Sequence, residues 1–189
     1  MMTRNWIIAW AACLPIAGAL RAQEDRKPAY TPTAQHQLLK QFDGEWEFKS
    51  KCVMPGQEVQ EGQGIESARQ AFGGFWLECE DRGMMMGKEF NGQGLIGFDP
   101  QKKKFIGVWI DNYTPFLGRF EGEADSSGKV FTFRMIHEDP GAGKGGPERM
   151  VFEIKDPDHR SAKFYGKDDS GRDQLWSEIA YTRKPVMVK

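Results

Sequence analysis

From residue 44 onward, turn chemistry interrupts the chain at spacings near ten residues, and this rhythm limits what it can fold into. Asp99-Pro100-Gln101-Lys102, Ala124 to Gly128, Asp156-Pro157-Asp158-His159 and Asp168-Asp169-Ser170-Gly171 all combine residues that favour tight turns. Between the turns, apolar and polar residues alternate. Trp46, Phe48 and Ser50 interleave with Glu45, Glu47 and Lys49, the pattern of a strand with one dry and one wet face. Further strands are predicted over about 60–71, 74–82, 89–98, 104–112, 116–123, 129–137, 148–155, 161–166 and 173–183. About ten short strands in succession predict an all-β fold, either a meander that closes into an antiparallel barrel or a sandwich, and closure would remove exposed edges. The 22 glycines and 12% aromatic residues suit such strands and turns.

One helix precedes them. Thr33 to Phe42, TAQHQLLKQF, places Leu38, Leu39 and Phe42 at helical spacing behind a Thr33 cap. Residues 23–32 read as a polar, proline-bearing lead-in, and 33–185 as the single barrel domain. Ahead of them, Arg4 is followed by the uncharged run Trp6 to Leu20, too short for a comfortable membrane span of roughly 20 residues. Small residues follow at Ala17-Gly18-Ala19 and at Ala22. Residues 1–22 therefore read as a cleavable signal peptide, which predicts a periplasmic or extracellular protein with no stable membrane insertion. Export makes a bridge between Cys52 and Cys79 an option, with two free thiols as the alternative.

His36 to Phe48, HQLLKQFDGEWEF, is a short helix leading into Gly44-x-Trp46. This is similar to the start of lipocalin-type barrels, in which the tryptophan plugs the closed end and an arginine of the last strand packs over its ring. Arg183 stands in the right order for that role, so Gly44, Trp46 and Arg183 are the predicted structural residues. Phe72-Gly73-Gly74-Phe75-Trp76, Gly97-Phe98-Asp99-Pro100, Phe105 to Asp111 and Tyr181-Thr182-Arg183-Lys184 extend the likeness. On these motifs the chain resembles the bacterial family catalogued as domain of unknown function 1579. The resemblance implies a lipocalin-like (calycin) barrel of about ten strands with a short N-terminal helix. It implies no activity and carries over no functional residues.

Function is less constrained. A formal net charge of −1 and dispersed basic residues predict no nucleic-acid partner. No serine sits in a glycine elbow, and the histidines lack metal-ligand spacing. Glu66, Glu78, Glu80, Asp111 and Glu178 can supply a carboxylate pair, but nothing in the sequence selects two of them. Met84-Met85-Met86 does not converge on one metal, because successive strand residues face opposite ways. The favoured reading is a monomeric barrel binding a small apolar or amphipathic molecule. Its candidate lining is Trp76, Trp109, Asp111, Phe131, Phe133, Met135, His137 and Trp176, with Gly107 making room beside Trp109. No cofactor is expected on this reading. The barrel also resembles haem-binding nitrobindin-type proteins, which makes His137 a candidate haem ligand. Two other classes stay open: an enzyme using an acid or histidine at the barrel mouth, such as Asp111 or His137, and an interaction module with a filled barrel contacting partners through the 140–147 loop or an exposed face.

Overall fold

A computed structural model describes residues 30–53, 58–136 and 147–185. The predicted signal peptide, most of the lead-in, His137 and most of the 140–147 loop lie outside the described residues. Alternating faces and tight turns produce ten antiparallel strands: β1 (Gly44–Cys52), β2 (Gln60–Ala71), β3 (Trp76–Met85), β4 (Lys88–Asp99), β5 (Lys104–Asp111), β6 (Gly118–Ala124), β7 (Val130–Met135), β8 (Arg149–Asp156), β9 (His159–Lys167) and β10 (Asp173–Arg183). Each pairs with its neighbours in sequence, and β10 returns to β1, so the sheet is a closed up-and-down barrel.

A short helix α1 (Ala34–Leu38) runs into a 3-10 turn (Leu39–Phe42) at one end of this barrel. His36 is buried there. Its Nδ1 accepts from the Thr33 backbone at 3.0 Å, and its ring packs edge-on against Phe75 and Phe98. Burial lowers its pKa, so the imidazole is neutral at pH 7. Leu39 and Phe42 enter the barrel, where Phe42 meets Phe131 and Phe152.

Trp46 is fully buried beneath that turn and donates its Nε1–H to the Phe42 carbonyl at 2.7 Å. The Arg183 guanidinium lies 4.0 Å from the ring centre. It also donates to the carbonyls of Asp43, Gln41 and Pro157. One side chain thus joins the helical turn, β10 and the β8–β9 turn over the tryptophan. Gly44 makes room for it, with φ at +124° and a would-be Cβ only 2.4 Å from Arg183 Nη1.

The two cysteines are free thiols. Cys52 lies opposite Gln60 on β2, and Cys79 opposite Ala68 on the same strand. Eight positions of strand separate these partners, about 26 Å at roughly 3.3 Å per residue. A disulfide needs Cα atoms within about 7 Å, so register excludes the bridge that export had made an option.

Two outcomes are expected. Gly44→Ala should destabilise the fold by about 1–3 kcal/mol in chemical denaturation, through its positive φ and the displaced Arg183. A thiol reagent should modify the half-exposed Cys52 in the native protein and reach Cys79 only on unfolding. Burial and the neighbouring Glu66 push the Cys79 thiol well above its ordinary pKa.

Candidate functional site

The two ends of the barrel differ. At the helix end, the inward residues Leu77, Phe105, Phe131 and Ile154 are buried with Leu39 and Phe42 in one apolar cluster. Toward the other end, Trp109, Met135, Phe164 and Trp176 share the inward face by register and are half-buried, beside the buried Phe90, Phe120 and Met150. The helix end is packed; at the other end buried and half-exposed inward side chains stand side by side.

Glycines shape that upper wall. A Cβ at Gly92 would come within 2.2 Å of the Trp109 ring, and one at Gly94 within 2.7 Å. The indole lies flat along β4 only because both positions carry no side chain. Gly107, the glycine expected to free space beside Trp109, is instead covered by Phe120, whose ring would lie 2.3 Å from a Cβ there. Trp176 occupies a β-bulge between Leu175 and Ser177, and its ring covers Gly166 on the inner face.

The predicted lining divides accordingly. Trp109, Asp111, Phe131, Phe133, Met135 and Trp176 face inward; Phe131 and Phe133 belong to the packed half and the other four to the mouth half. Trp76 is a correction. Leu77, Cys79 and Asp81 take the inner face of β3, so Trp76 points outward and lies over Gly97. Asp111 is committed to its own turn. It accepts from Trp109 Nε1 at 3.1 Å, the Tyr113 amide at 2.8 Å and the Thr114 amide at 2.9 Å. Tyr113 straps this turn to the β3–β4 hairpin by donating to the Met85 and Lys88 carbonyls.

Exposed apolar side chains gather at this end. Among the described residues, four of its five loops carry one within them or on a flanking strand residue, the β9–β10 turn being polar. Val53 and Val59 lie after β1, and Met84 and Met86 at the β3–β4 hairpin. Phe116 and Leu117 lie between β5 and β6, Ile136 after β7, and Leu175 near the start of β10. A groove of about 600 Å³ on the outer face of β3–β5 has a different character, lined by the outward Glu80, Arg82, Asn91 and Gln93.

Inside the barrel, above the closing tryptophan, sits a buried charged cluster. Arg160 on β9 pairs with Glu66 on β2, both buried. Its guanidinium lies 4.5 Å from the Trp46 ring and 4.0 Å from that of Tyr181. Asp81 on β3 is the register partner of Glu66 and hydrogen-bonds to it. Burial raises both carboxyl pKa values, against the pull of Arg160. For Asp81 the adjacent Glu66 charge pushes further, holding it well above the ordinary 3.8. Burial thus favours the neutral form of Asp81, while Glu66 is ion-paired to Arg160.

Only Glu66 of this trio stands among the acids that the sequence offers as candidates, as one of five. Asp81 and Arg160 escape sequence reasoning because a buried charge leaves no composition signal. The one legible hint is parity: Glu66 falls in step with Ala68, and Asp81 with Leu77 and Cys79.

The family described as "Protein of unknown function (DUF1579)" matches residues 31–183. The chain belongs to this family. No curated protein matches it in sequence. In structure it is similar to Rv2717c from M. tuberculosis, with TM-score 0.60 and 14% identity over 82% of this chain and 99% of that one. It is also similar to the S-type phycobiliprotein lyase CPES from Guillardia theta, with TM-score 0.55 and 12% identity over 79% and 92% of the two chains. At these identities the likeness is one of fold, the lipocalin-like barrel of the DUF1579 chain.

Asp81 gives the site a pH signature. The folded protein holds a proton that the unfolded chain releases above about pH 3.8. The associated stability is full below that value and is lost as pH rises through the raised folded pKa. Asp81→Asn should flatten this fall. Denaturant midpoints of both proteins between pH 4 and pH 8 check it; parallel curves would remove the neutral form of Asp81.

Proposed function

We propose that this DUF1579 protein is an exported binding barrel that takes a small apolar or amphipathic molecule through its open end. The observation that carries the reading is on the inner wall away from the helix end, where Trp109, Met135, Phe164 and Trp176 keep accessible surface beside the buried Phe90, Phe120 and Met150. An accessible aromatic lumen is the usual setting for an apolar guest. The apolar rim supports the same reading, since exposed apolar side chains gathered at one end mark a contact for apolar matter rather than ordinary surface. Export rests on the sequence of residues 1–22, with its charged start, uncharged run and small-residue cleavage sites. An acid at the mouth acting as a catalyst finds less support, because Asp111 spends its carboxylate on Trp109 and on the 112–114 turn.

The test is titration with 1-anilinonaphthalene-8-sulfonate, read by energy transfer from tryptophan. Trp109 and Trp176 stand in the proposed lumen, so binding should saturate at one site and quench their emission. Met135→Trp, which fills the upper half from β7, should weaken the probe at least about tenfold while leaving the fold intact by circular dichroism. Probe binding that never saturates, or that ignores the plug, would sink the reading.

A further inference from the structure

We propose that the Arg160–Glu66–Asp81 cluster is a head-group subsite, taking a neutral group that carries both a hydrogen-bond donor and an acceptor at the end of an apolar tail. Primary amides and alcohols are the chemical class. This rests on the reading of the barrel as a binder and specifies what it binds.

Unmet hydrogen-bonding capacity is the first reason. Asp81 Oδ1 and Arg160 Nε are both buried, and neither has a partner among the described residues. Their side chains belong to residues that are 6% and 2% exposed. Leaving a buried polar atom unmatched costs about 1–3 kcal/mol, so native interiors rarely carry two in one cluster. One is an acceptor, the other a donor. A group offering the reverse of each would satisfy both.

Charge decides the rest. The cluster holds one guanidinium ion-paired to Glu66, and burial raises the Asp81 carboxyl well above its ordinary range, toward its neutral form. An anionic head would meet two acid groups in a low-dielectric interior, and a cationic head would meet Arg160. A neutral head escapes both penalties.

Position gives the approach. On β3 the inward sequence from the mouth is Met85, Gly83, Asp81. Met85 is half-exposed and packs against the cluster around Trp46 and Phe48, and Gly83 lets the β2 backbone at Gln63 and Gly64 come close beside Asp81. A head at Asp81 would leave its tail among Trp109, Phe164 and Trp176.

The experiment compares decanamide with decanoate at pH 7.5, by displacement of 1-anilinonaphthalene-8-sulfonate from the wild-type protein. The tails have equal length and only the head differs. Wild type should bind decanamide at least about tenfold tighter than decanoate. The double variant E66Q/D81N leaves Arg160 without a compensating acid and should reverse the preference toward decanoate. A purely structural cluster would not produce that reversal. If the fluorescent probe binds but wild type treats the two heads alike, the subsite is overturned and the binding barrel stands. The subsite is equally overturned if the folded double variant keeps the wild-type preference, because water alone would then fill the site. If neither the probe nor decanamide binds wild type, both the subsite and the binding barrel fall. The wild-type ratio is decisive even where the double variant does not fold.

Discussion

Everything at the closed end depends on how Trp46 is held. Its indole is fully buried, and two guanidiniums lie against it, Arg183 at 4.0 Å and Arg160 at 4.5 Å from the ring centre. Arg183 satisfies its donors on backbone carbonyls, so it desolvates at little loss. Arg160 donates to no such carbonyl among the described residues and needs a counter-charge. Glu66 supplies it from β2, the strand next to Trp46. The plug that closes the barrel therefore brings a buried ion pair with it, and the ion pair brings Asp81. A buried pair of this kind is weak evidence for stability, because desolvation offsets much of the attraction. Its more telling property is what it leaves unmatched.

The rest of the interior follows from volume. Where aromatic rings interlock edge-on, as among Phe42, Phe105 and Phe131, the barrel is filled. Where glycines replace side chains on the wall, rings lie flat instead of projecting inward, as Trp109 does on Gly92 and Gly94. Buried rings use the same device, Phe120 over Gly107 and Phe48 over Gly64, so wall glycines set where rings lie throughout the interior.

Much of the fold is legible in the chain. Alternation within Trp46, Phe48 and Ser50 and the turn residues between strands predict ten strands, and Gly44-x-Trp46 meets Arg183 as their order in sequence suggests. The interior is legible only where parity is unambiguous. Trp109, Phe131, Phe133 and Met135 face inward as their strands predict. Trp76 does not, because the short 3-10 turn at Phe72–Gly74 precedes it and the phase of β3 is set by Leu77, Cys79 and Asp81. The cysteine pair fails for a related reason: strand order can be read from the turns, but register, which sets distance along a strand, cannot.

The sequence by itself determined the class of fold, the closing residues and the apolar character of the inner face, because strand periodicity and turn chemistry are local properties. The tertiary structure decided which acids are buried, which glycines carry a ring and which inward side chains keep accessible surface. Those depend on register and closure, which bring Glu66 and Arg160 together across 94 residues of chain. No local pattern records that two charges so far apart will share one dry interior.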